Sequence, residues 1–176
     1  TGKSGRAYTL VVQAAVEEAG EDLRPETVVT VFDSIINRIA HPDHPDTVEA
    51  VLKEYRLVTP TEGEPYKVYQ YSYWADDVHP AITGEQGDLV DQLLANRWVA
   101  YKAGVYLPES NIRWFATPWS YQAWHAKNLD CVGTDGLHHQ FAEPQDPENL
   151  VSCDQFIRPV SRPTPDALVL ALMAAN

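Results

Sequence analysis

Glutamates at the end of the first apolar pattern of the chain are suited to proton transfer. Val11, two alanines and Glu18 follow the i, i+3, i+4, i+7 spacing of one helix face, and Gly20 then stops the helix. A carboxyl group among apolar neighbours keeps its proton more readily than one in water, as a general acid must. Glu17 is the competing residue, but helical phase places it toward the edge of the apolar face. Helical phase therefore favours Glu18 over Glu17, and the plain alternative for either is a solvated glutamate in the last helical turn.

An aromatic segment in the middle of the chain has the composition of a sugar-binding site. Rings stack on the apolar faces of sugars, while amide, hydroxyl and carboxylate side chains bind hydroxyl and N-acetyl groups. Alternation along a strand puts Tyr71 and Tyr73 on one face and the residues beside them on the other, so only one of these sets can line a cleft. The segment consists of Tyr69, Gln70, Tyr71, Ser72, Tyr73, Trp74 and, slightly later, Asp76.

Histidines and aspartates offer a rival chemistry, that of a catalytic zinc ion. No pair of histidines has the H-E-x-x-H spacing of a metalloprotease helix. His138 and His139 are adjacent, so on a strand they would point to opposite faces. The sequence therefore predicts surface histidines in loops, no metal and no other cofactor. The residues in question are His41, His44, His79, His125, His138 and His139, with Asp43, Asp46, Asp76 and Asp77.

Composition and charge limit the class of protein. The chain has 176 residues, 44% of them apolar and 10% aromatic, which excludes a disordered or collagen-like chain. No apolar run approaches the ~20 residues of a membrane span. With 13 Lys and Arg against 25 Asp and Glu, the formal net charge of -12 argues against a nucleic-acid binder, which needs cations at the phosphates. We expect a soluble globular domain with no membrane span and a neutral or cationic ligand.

The chain has two cysteines, Cys131 and Cys153, which can form at most one disulfide within the chain. They are too few for a four-thiolate zinc site within one chain. Their spacing leaves open whether they pair or stay reduced. The segment Thr1 to Arg6 is polar and basic without an apolar region, so no signal peptide is visible in this chain.

Apolar periodicity predicts a mainly helical domain. Proline favours the first position of a helix, threonine or aspartate caps one, and glycine ends one. These signals bound each of the apolar patterns in the first two thirds of the chain. The predicted helices cover residues 6–19, residues 25–38, a brief segment capped by Asp46 or Thr47 and ending at Leu52, and a long segment from Gly87 to the stop at Gly104.

Between and after these helices the pattern indicates loops and short extended pieces. Residues 56–65 have the composition of a loop, and residues 66–74 are typical either of a strand or of an aromatic-lined loop. Residues 111–116 and 137–141 are aromatic-rich or alternating, and we expect them to form a small antiparallel pair. The predicted fold class is therefore α+β, mainly helical, with a small antiparallel β element.

Short motifs occur in a fixed order over residues 10–141, and together they resemble the SleB/CwlJ family of bacterial cell-wall hydrolases. That family has an E-A-x-G-E motif, a helix ending in Asn-Arg, a P-x-T-V loop, a Q-F-S-W-like motif followed by an Asp, and late Y-F-H-N-P and G-x-H-x-F pieces. Each piece alone is a weak signal, so the shared order carries the resemblance. The matching segments are Glu18-Ala19-Gly20-Glu21, Ile35-Ile36-Asn37-Arg38, Pro45-Asp46-Thr47-Val48, Gln70-Tyr71-Ser72-Tyr73 with Asp76, Trp114-Phe115-Ala116-Thr117-Pro118 and Gly136-Leu137-His138-His139-Gln140-Phe141.

The chain departs from the family pattern at several points. Glu18 and Asn37 are about one residue further apart than the corresponding family residues. If the first motif is taken to start at Glu17 instead, the Gly-Glu spacing is kept. The substituted positions are Tyr71 and Tyr73, where the family has Phe and Trp, and Thr117, where it has Asn.

The resemblance implies a lysozyme-like domain that cleaves the glycan strand of peptidoglycan between N-acetylmuramic acid and N-acetylglucosamine, as a lytic transglycosylase. One glutamate is enough for that reaction, because the C6 hydroxyl of the muramic acid attacks the anomeric carbon and no water needs a second carboxylate. The resemblance implies that Glu18 is this catalytic residue. The substrate-binding residues that it implies are Gln70, Tyr71, Ser72, Tyr73, Asp76, Trp114 and His139.

The resemblance also implies an organisation and a place of action. Residues 1–143 form the cell wall hydrolase domain, while residues 144–176 have no counterpart in the family. For that tail we expect a proline-rich arm and a short helix near 165–174, packed on the same domain. The implied partner is peptidoglycan in the bacterial cell wall, reached as a phage-borne endolysin or an exported enzyme. Alternatives are a metal-dependent peptidoglycan amidase or peptidase, and a non-catalytic carbohydrate-binding or virion structural domain.

Overall fold

A computed structural model describes residues 5–20, 23–71, 79, 81–117, 128–156 and 158–159 of the chain. The chain divides into two compact units, Thr1–Trp114 and Phe115–Asn176. The described α-helices and a two-stranded hairpin lie in the first unit, and a three-stranded sheet belongs mainly to the second. The helix expected near 165–174 lies outside the described residues.

The first two helices confirm the periodicity of the sequence. Helix α1 covers Arg6–Ala19 and ends at Gly20, whose φ of 71° suits glycine because the residue has no Cβ. Helix α2 covers Pro25–Ile39, with proline in its first turn and Arg38 in its last. A cation in the last turn interacts favourably with the negative end of the helix dipole. Glu18 and Arg38 thus stand near the C-terminal ends of consecutive helices.

The remaining helices show how capping residues set helix boundaries. Helix α3 covers Val48–Leu52, and its cap is the predicted Thr47, whose hydroxyl accepts a hydrogen bond from the amide of Ala50 at 3.3 Å. Helix α4 covers Gly84–Lys102, so the predicted start at Gly87 is wrong. A capping box explains the difference: Thr83 and Gln86 each accept a hydrogen bond from the other's backbone amide, which starts the helix before its second glycine.

The core of the first unit lies among the helices. Helix α1 contacts α2, α3 and α4, and most of the side chains that these helices bury are apolar. Packing of this kind fixes the helices that carry Glu18 and Arg38. The fully buried members of the core include Val11, Ala14, Ala15, Val28, Val31, Phe32, Ile35, Val51, Leu52, Val90 and Leu94.

An antiparallel hairpin follows α3. Strand β1 (Tyr55–Val58) pairs with strand β2 (Tyr66–Tyr69), with Tyr55 opposite Tyr69 and Val58 opposite Tyr66. The sequence prediction of a loop over 56–65 is therefore wrong for its first residues. Most residues of both strands are exposed, so the strands lack the alternation of buried and polar residues that marks a strand in a sequence.

The second unit contains a small sheet stapled by a disulfide. Strands β3 (Trp114–Ala116), β4 (Asp130–Thr134) and β5 (His139–Ala142) lie in the order β3-β5-β4. The pairing of β4 with β5 is antiparallel. Strand β4 was not expected from the sequence. A disulfide joins Cys131 of β4 to Cys153, the first residue of a short 3-10 helix (Cys153–Gln155).

The observed class is α+β with small sheets, as predicted, while the lysozyme-like arrangement stays a prediction. Within the described ranges, no helix combines the length and the apolar content that crossing a bilayer requires.

Candidate functional site

A buried guanidinium organises the part of the first unit where the family-like motifs meet. Arg38 is only 2% exposed. Its Nε donates to the carbonyl oxygen of Arg113 at 2.7 Å and its Nη2 to Oε1 of Gln70 at 2.9 Å. Its Nη1 lies 3.3 Å from Oε1 of Glu54, which supplies a negative charge. One cation therefore ties the end of α2 to the end of the hairpin and to the segment before β3.

Aromatic rings complete the surroundings of this guanidinium. The guanidinium carbon of Arg38 lies 5.4 Å from the ring centroid of Tyr71 and 5.7 Å from that of Trp114. The guanidinium carbon of Arg113 lies 4.4 Å from the Trp114 centroid. These distances are within the range of cation–π attraction, which is stronger where water is excluded.

Two consecutive turns of α2 hold the segment of chain that leads to Trp114. Asn37 donates from Nδ2 to the carbonyl oxygens of Ser110 and Ile112, both at 2.8 Å. One turn earlier, the buried carboxylate of Asp33 accepts hydrogen bonds from the hydroxyl of Tyr106 and from the amide of Glu109. Burial raises the pKa of Asp33, and these hydrogen bonds oppose the rise. Asn37 and Arg38, at the end of α2, thus hold the backbone carbonyls of residues 110, 112 and 113.

The charge of Glu18 acts on Tyr71, a residue of the aromatic motif. The pKa of Tyr71 is raised to about 12, above all by burial and also by the negative charges of Glu18 and Glu54. The positive charge of Arg38 and a hydrogen bond with Ser34 lower it. Glu18 itself is half-buried. Its carboxylate therefore acts on the same ring that packs beside Arg38.

Glu17 is more deeply placed than helical phase suggests, since its side chain is only 7% exposed. Its Oε1 accepts a hydrogen bond from Nε2 of Gln13 at 3.1 Å and lies 2.8 Å from Nδ1 of His79. Its Oε2 is buried and accepts no hydrogen bond from the described part of the chain. The geometry therefore keeps Glu17 as the competitor of Glu18 for acid–base chemistry.

Tyr71 is completely buried, which differs from the expected contact with a sugar. Its hydroxyl lies 2.9 Å from Oγ of Ser34, and its ring packs beside Arg38. A ring with no exposed face does not stack on a ligand. Alternation in the sequence shows which residues share a face, not which face is buried. In this conformation the ring of Tyr71 packs beside Arg38 and presents no surface to a sugar.

The other predicted site residues are distributed as follows. Gln70 and Trp114 are half-buried and both adjoin the guanidinium of Arg38. His139 lies on β5 in the second unit and is half-buried; burial lowers its pKa, and the charge of Arg158 lowers it further. Those outside the described residues are Ser72, Tyr73 and Asp76.

A histidine–carboxylate pair adjoins the same cluster and was not expected from the sequence as part of a site. Nδ1 of His44 lies 2.8 Å from Oε2 of Glu54, and the His44 side chain is 8% exposed. Its ring centroid is 5.8 Å from that of Trp114. Glu54 therefore bridges His44 and Arg38. No sequence pattern indicated this pair, because Glu54 lies outside every motif.

No family model, curated protein or solved structure matches the chain. The likeness to the SleB/CwlJ family accordingly rests on the motifs and their order. What the structure adds is the spatial relation among the motif residues that it describes in the first unit.

The burial of Tyr71 leads to a prediction about stability. Tyr71→Ala leaves a cavity beside a buried cation, so it should reduce the free energy of unfolding by about 3–5 kcal/mol. Tyr71→Phe keeps the ring and loses the Ser34 contact, so about 1 kcal/mol should be lost. Tyr66→Ala is the control, since that ring is 53% exposed. Urea unfolding measures all three, and an unchanged stability of Tyr71→Ala would contradict the packing role.

The buried His44 leads to a prediction about pH. Burial lowers its pKa, the hydrogen bond that it donates to Glu54 opposes this, and the charge of Arg38 lowers it again. Between the folded pKa and the ordinary value of about 6.5, the unfolded chain binds more protons, so stability falls as the pH falls through this window.

His44→Gln removes the titrating group. We expect its free energy of unfolding, measured by urea denaturation between about pH 7.5 and 5, to fall less steeply than that of the parent. An identical pH dependence in the two proteins would show that His44 is not held neutral by its surroundings.

Proposed function

We propose that this protein cleaves the glycan strand of peptidoglycan between N-acetylmuramic acid and N-acetylglucosamine, as a lytic transglycosylase with Glu18 as its general acid and base. One observation carries the proposal. Segments that resemble the family motifs, far apart in the sequence, meet around Arg38: Gln70 accepts its hydrogen bond, and the rings of Tyr71 and Trp114 flank it. The charge of Glu18 acts on Tyr71 in the same cluster.

The proposed reaction needs one carboxyl group. Protonated Glu18 donates its proton to the glycosidic oxygen as the bond to the anomeric carbon breaks. The resulting carboxylate then takes the proton of the C6 hydroxyl of the same muramic acid, whose oxygen attacks the anomeric carbon. The products are a 1,6-anhydromuramic end and a free hydroxyl on the leaving sugar. Glu18 recovers its proton from the C6 hydroxyl, so the reaction consumes no water.

The buried cluster is proposed to position this glutamate and the sugar. A guanidinium that is bonded on several sides and packed between rings holds its neighbours in one arrangement, as acid–base chemistry requires. Gln70 and Trp114 keep part of their surface exposed and remain in the proposed substrate-binding set. The other proposed members of that set are Ser72, Tyr73 and Asp76; His139, on β5 of the second unit, stays a prediction of the resemblance.

The proposed substrate places the action of the protein at the bacterial cell wall, as a phage-borne lysin or an exported enzyme. The wall is itself rich in carboxylates, so a chain with a net charge of -12 gains little from long-range attraction. Binding would then depend on short-range contacts with the sugar and its N-acetyl groups.

Exchange of each neighbouring glutamate for its amide tests the assignment. Glu18→Gln keeps the shape and removes the transferable proton, so lysis of purified walls should fall by about 100-fold or more. Glu17→Gln is the matched control on the same helix, and its loss should be much smaller. Turbidity decrease per folded molecule is the measurement, with circular dichroism to establish folding.

The two variants also separate the competing assignments. A fully active Glu18→Gln protein beside an inactive Glu17→Gln protein would transfer the role to Glu17. Full activity of both would contradict a single-glutamate mechanism.

A further inference from the structure

Potential metal ligands converge in the second unit. Cys131 on β4, His139 on β5 and Cys153 at the start of the 3-10 helix each offer one ligand atom. These atoms all lie within 4.8 Å of one another. Two sulfurs and one imidazole nitrogen are the ligands that zinc prefers, at about 2.3 Å and 2.0–2.1 Å respectively.

The disulfide between Cys131 and Cys153 occupies both sulfurs in the oxidised chain. We propose that, when this disulfide is reduced, Cys131, His139 and Cys153 form a zinc-binding site whose fourth ligand is water. Three protein ligands with one open position are the usual pattern of accessible zinc sites. The site would exist in one redox state of the chain and not in the other.

The chemistry of this switch balances with a dithiol as the reductant. The S–S bond breaks, two electrons and two protons pass from the dithiol to the cysteines, and the dithiol becomes a disulfide. Each cysteine thiol then releases its proton to solvent as its sulfur binds the metal. Reoxidation by thiol–disulfide exchange would reverse these steps and release the zinc.

Hydrogen bonds hold the ligand-bearing segments together independently of the S–S bond. The amide of Cys131 donates to the carbonyl oxygen of Val151 at 2.9 Å. The buried Asp130 accepts from the amide of Val151 at 2.8 Å and from that of Gln145 at 3.1 Å. Ser152 caps the turn that begins at Cys153. These contacts keep Cys153 beside β4, so reduction leaves the cysteines close enough to share a metal.

The strand pairing places the imidazole on the same side. Strands β4 and β5 pair antiparallel, with Cys131 opposite Phe141 and Thr134 opposite His139. An irregularity in this ladder lies between Cys131 and Gly133 and shifts the register there. A bulge of this kind redirects side chains, which is a common role of bulges near functional sites. His139 belongs to a fixed β ladder and is therefore a preorganised ligand.

Cobalt(II) titration of the full chain tests the site, because cobalt reports its ligands in its absorption spectrum. The chain is reduced without oxygen by a water-soluble phosphine, which becomes a phosphine oxide. We expect about one equivalent of cobalt to bind with thiolate-to-metal charge-transfer bands and tetrahedral d–d bands, and zinc to displace it. The unreduced chain should show neither band.

Variants distinguish the proposed ligands from incidental binding. His139→Ala should weaken zinc binding by more than about 100-fold, beyond the loss caused by removing an outer-shell partner. His139→Cys supplies a third sulfur, so it should bind with stronger charge-transfer bands. Gln140→Ala, on the adjacent position of β5, is the control and should bind as the parent does.

Thermal unfolding supplies an independent measurement. Zinc should raise the melting temperature of the reduced chain and leave that of the oxidised chain unchanged, because metal binding stabilises only the state that forms the site. Absence of thiolate–cobalt bands, equal affinity in His139→Ala, or a reduced chain whose melting temperature zinc leaves unchanged would each overturn the proposal.

Discussion

The burial of the Arg38 side chain is the constraint on which the arrangement of the first unit depends. Removing a guanidinium from water costs several kcal/mol unless hydrogen bonds and opposite charge compensate. Here the carboxylate of Glu54, the amide oxygen of Gln70 and the carbonyl oxygen of Arg113 provide that compensation. Each lies in a different segment of the chain. The cation is therefore satisfied only when the end of α2, the end of the hairpin and the segment before β3 are all in place.

This constraint gives the motif residues two different roles. Tyr71 is fully buried, and its ring packs beside the guanidinium of Arg38. The charge of Glu18 raises the pKa of its hydroxyl. Gln70 and Trp114 reach the surface in part, so they can both support Arg38 and face a ligand. A short motif can therefore combine structural and ligand-facing positions. The proposed glycan chemistry requires both, because one carboxyl group must donate and recover a proton in a fixed geometry.

The sequence predicted the elements whose signals are local and missed those that depend on tertiary contacts. The apolar period, with the proline of α2 and the cap at Thr47, predicted the four helices, while the capping box at Thr83 starts α4 before the expected glycine. Strand β1 was missed because it is exposed on both faces. Helical phase put Glu17 at an edge, but His79, far away in the sequence, covers it. The Arg38 cluster could not be predicted, since no spacing relates Glu54 to Arg113.

The product formed from purified peptidoglycan tests the central claim most directly, because each bond class leaves a different chemical end. Mass spectrometry of the soluble fragments should find 1,6-anhydromuramic ends on glycan pieces that keep their stem peptides. Reducing muramic acid ends would instead mean that water is the acceptor. Free stem peptides released from intact glycan strands would contradict glycan cleavage and point to an amidase or peptidase.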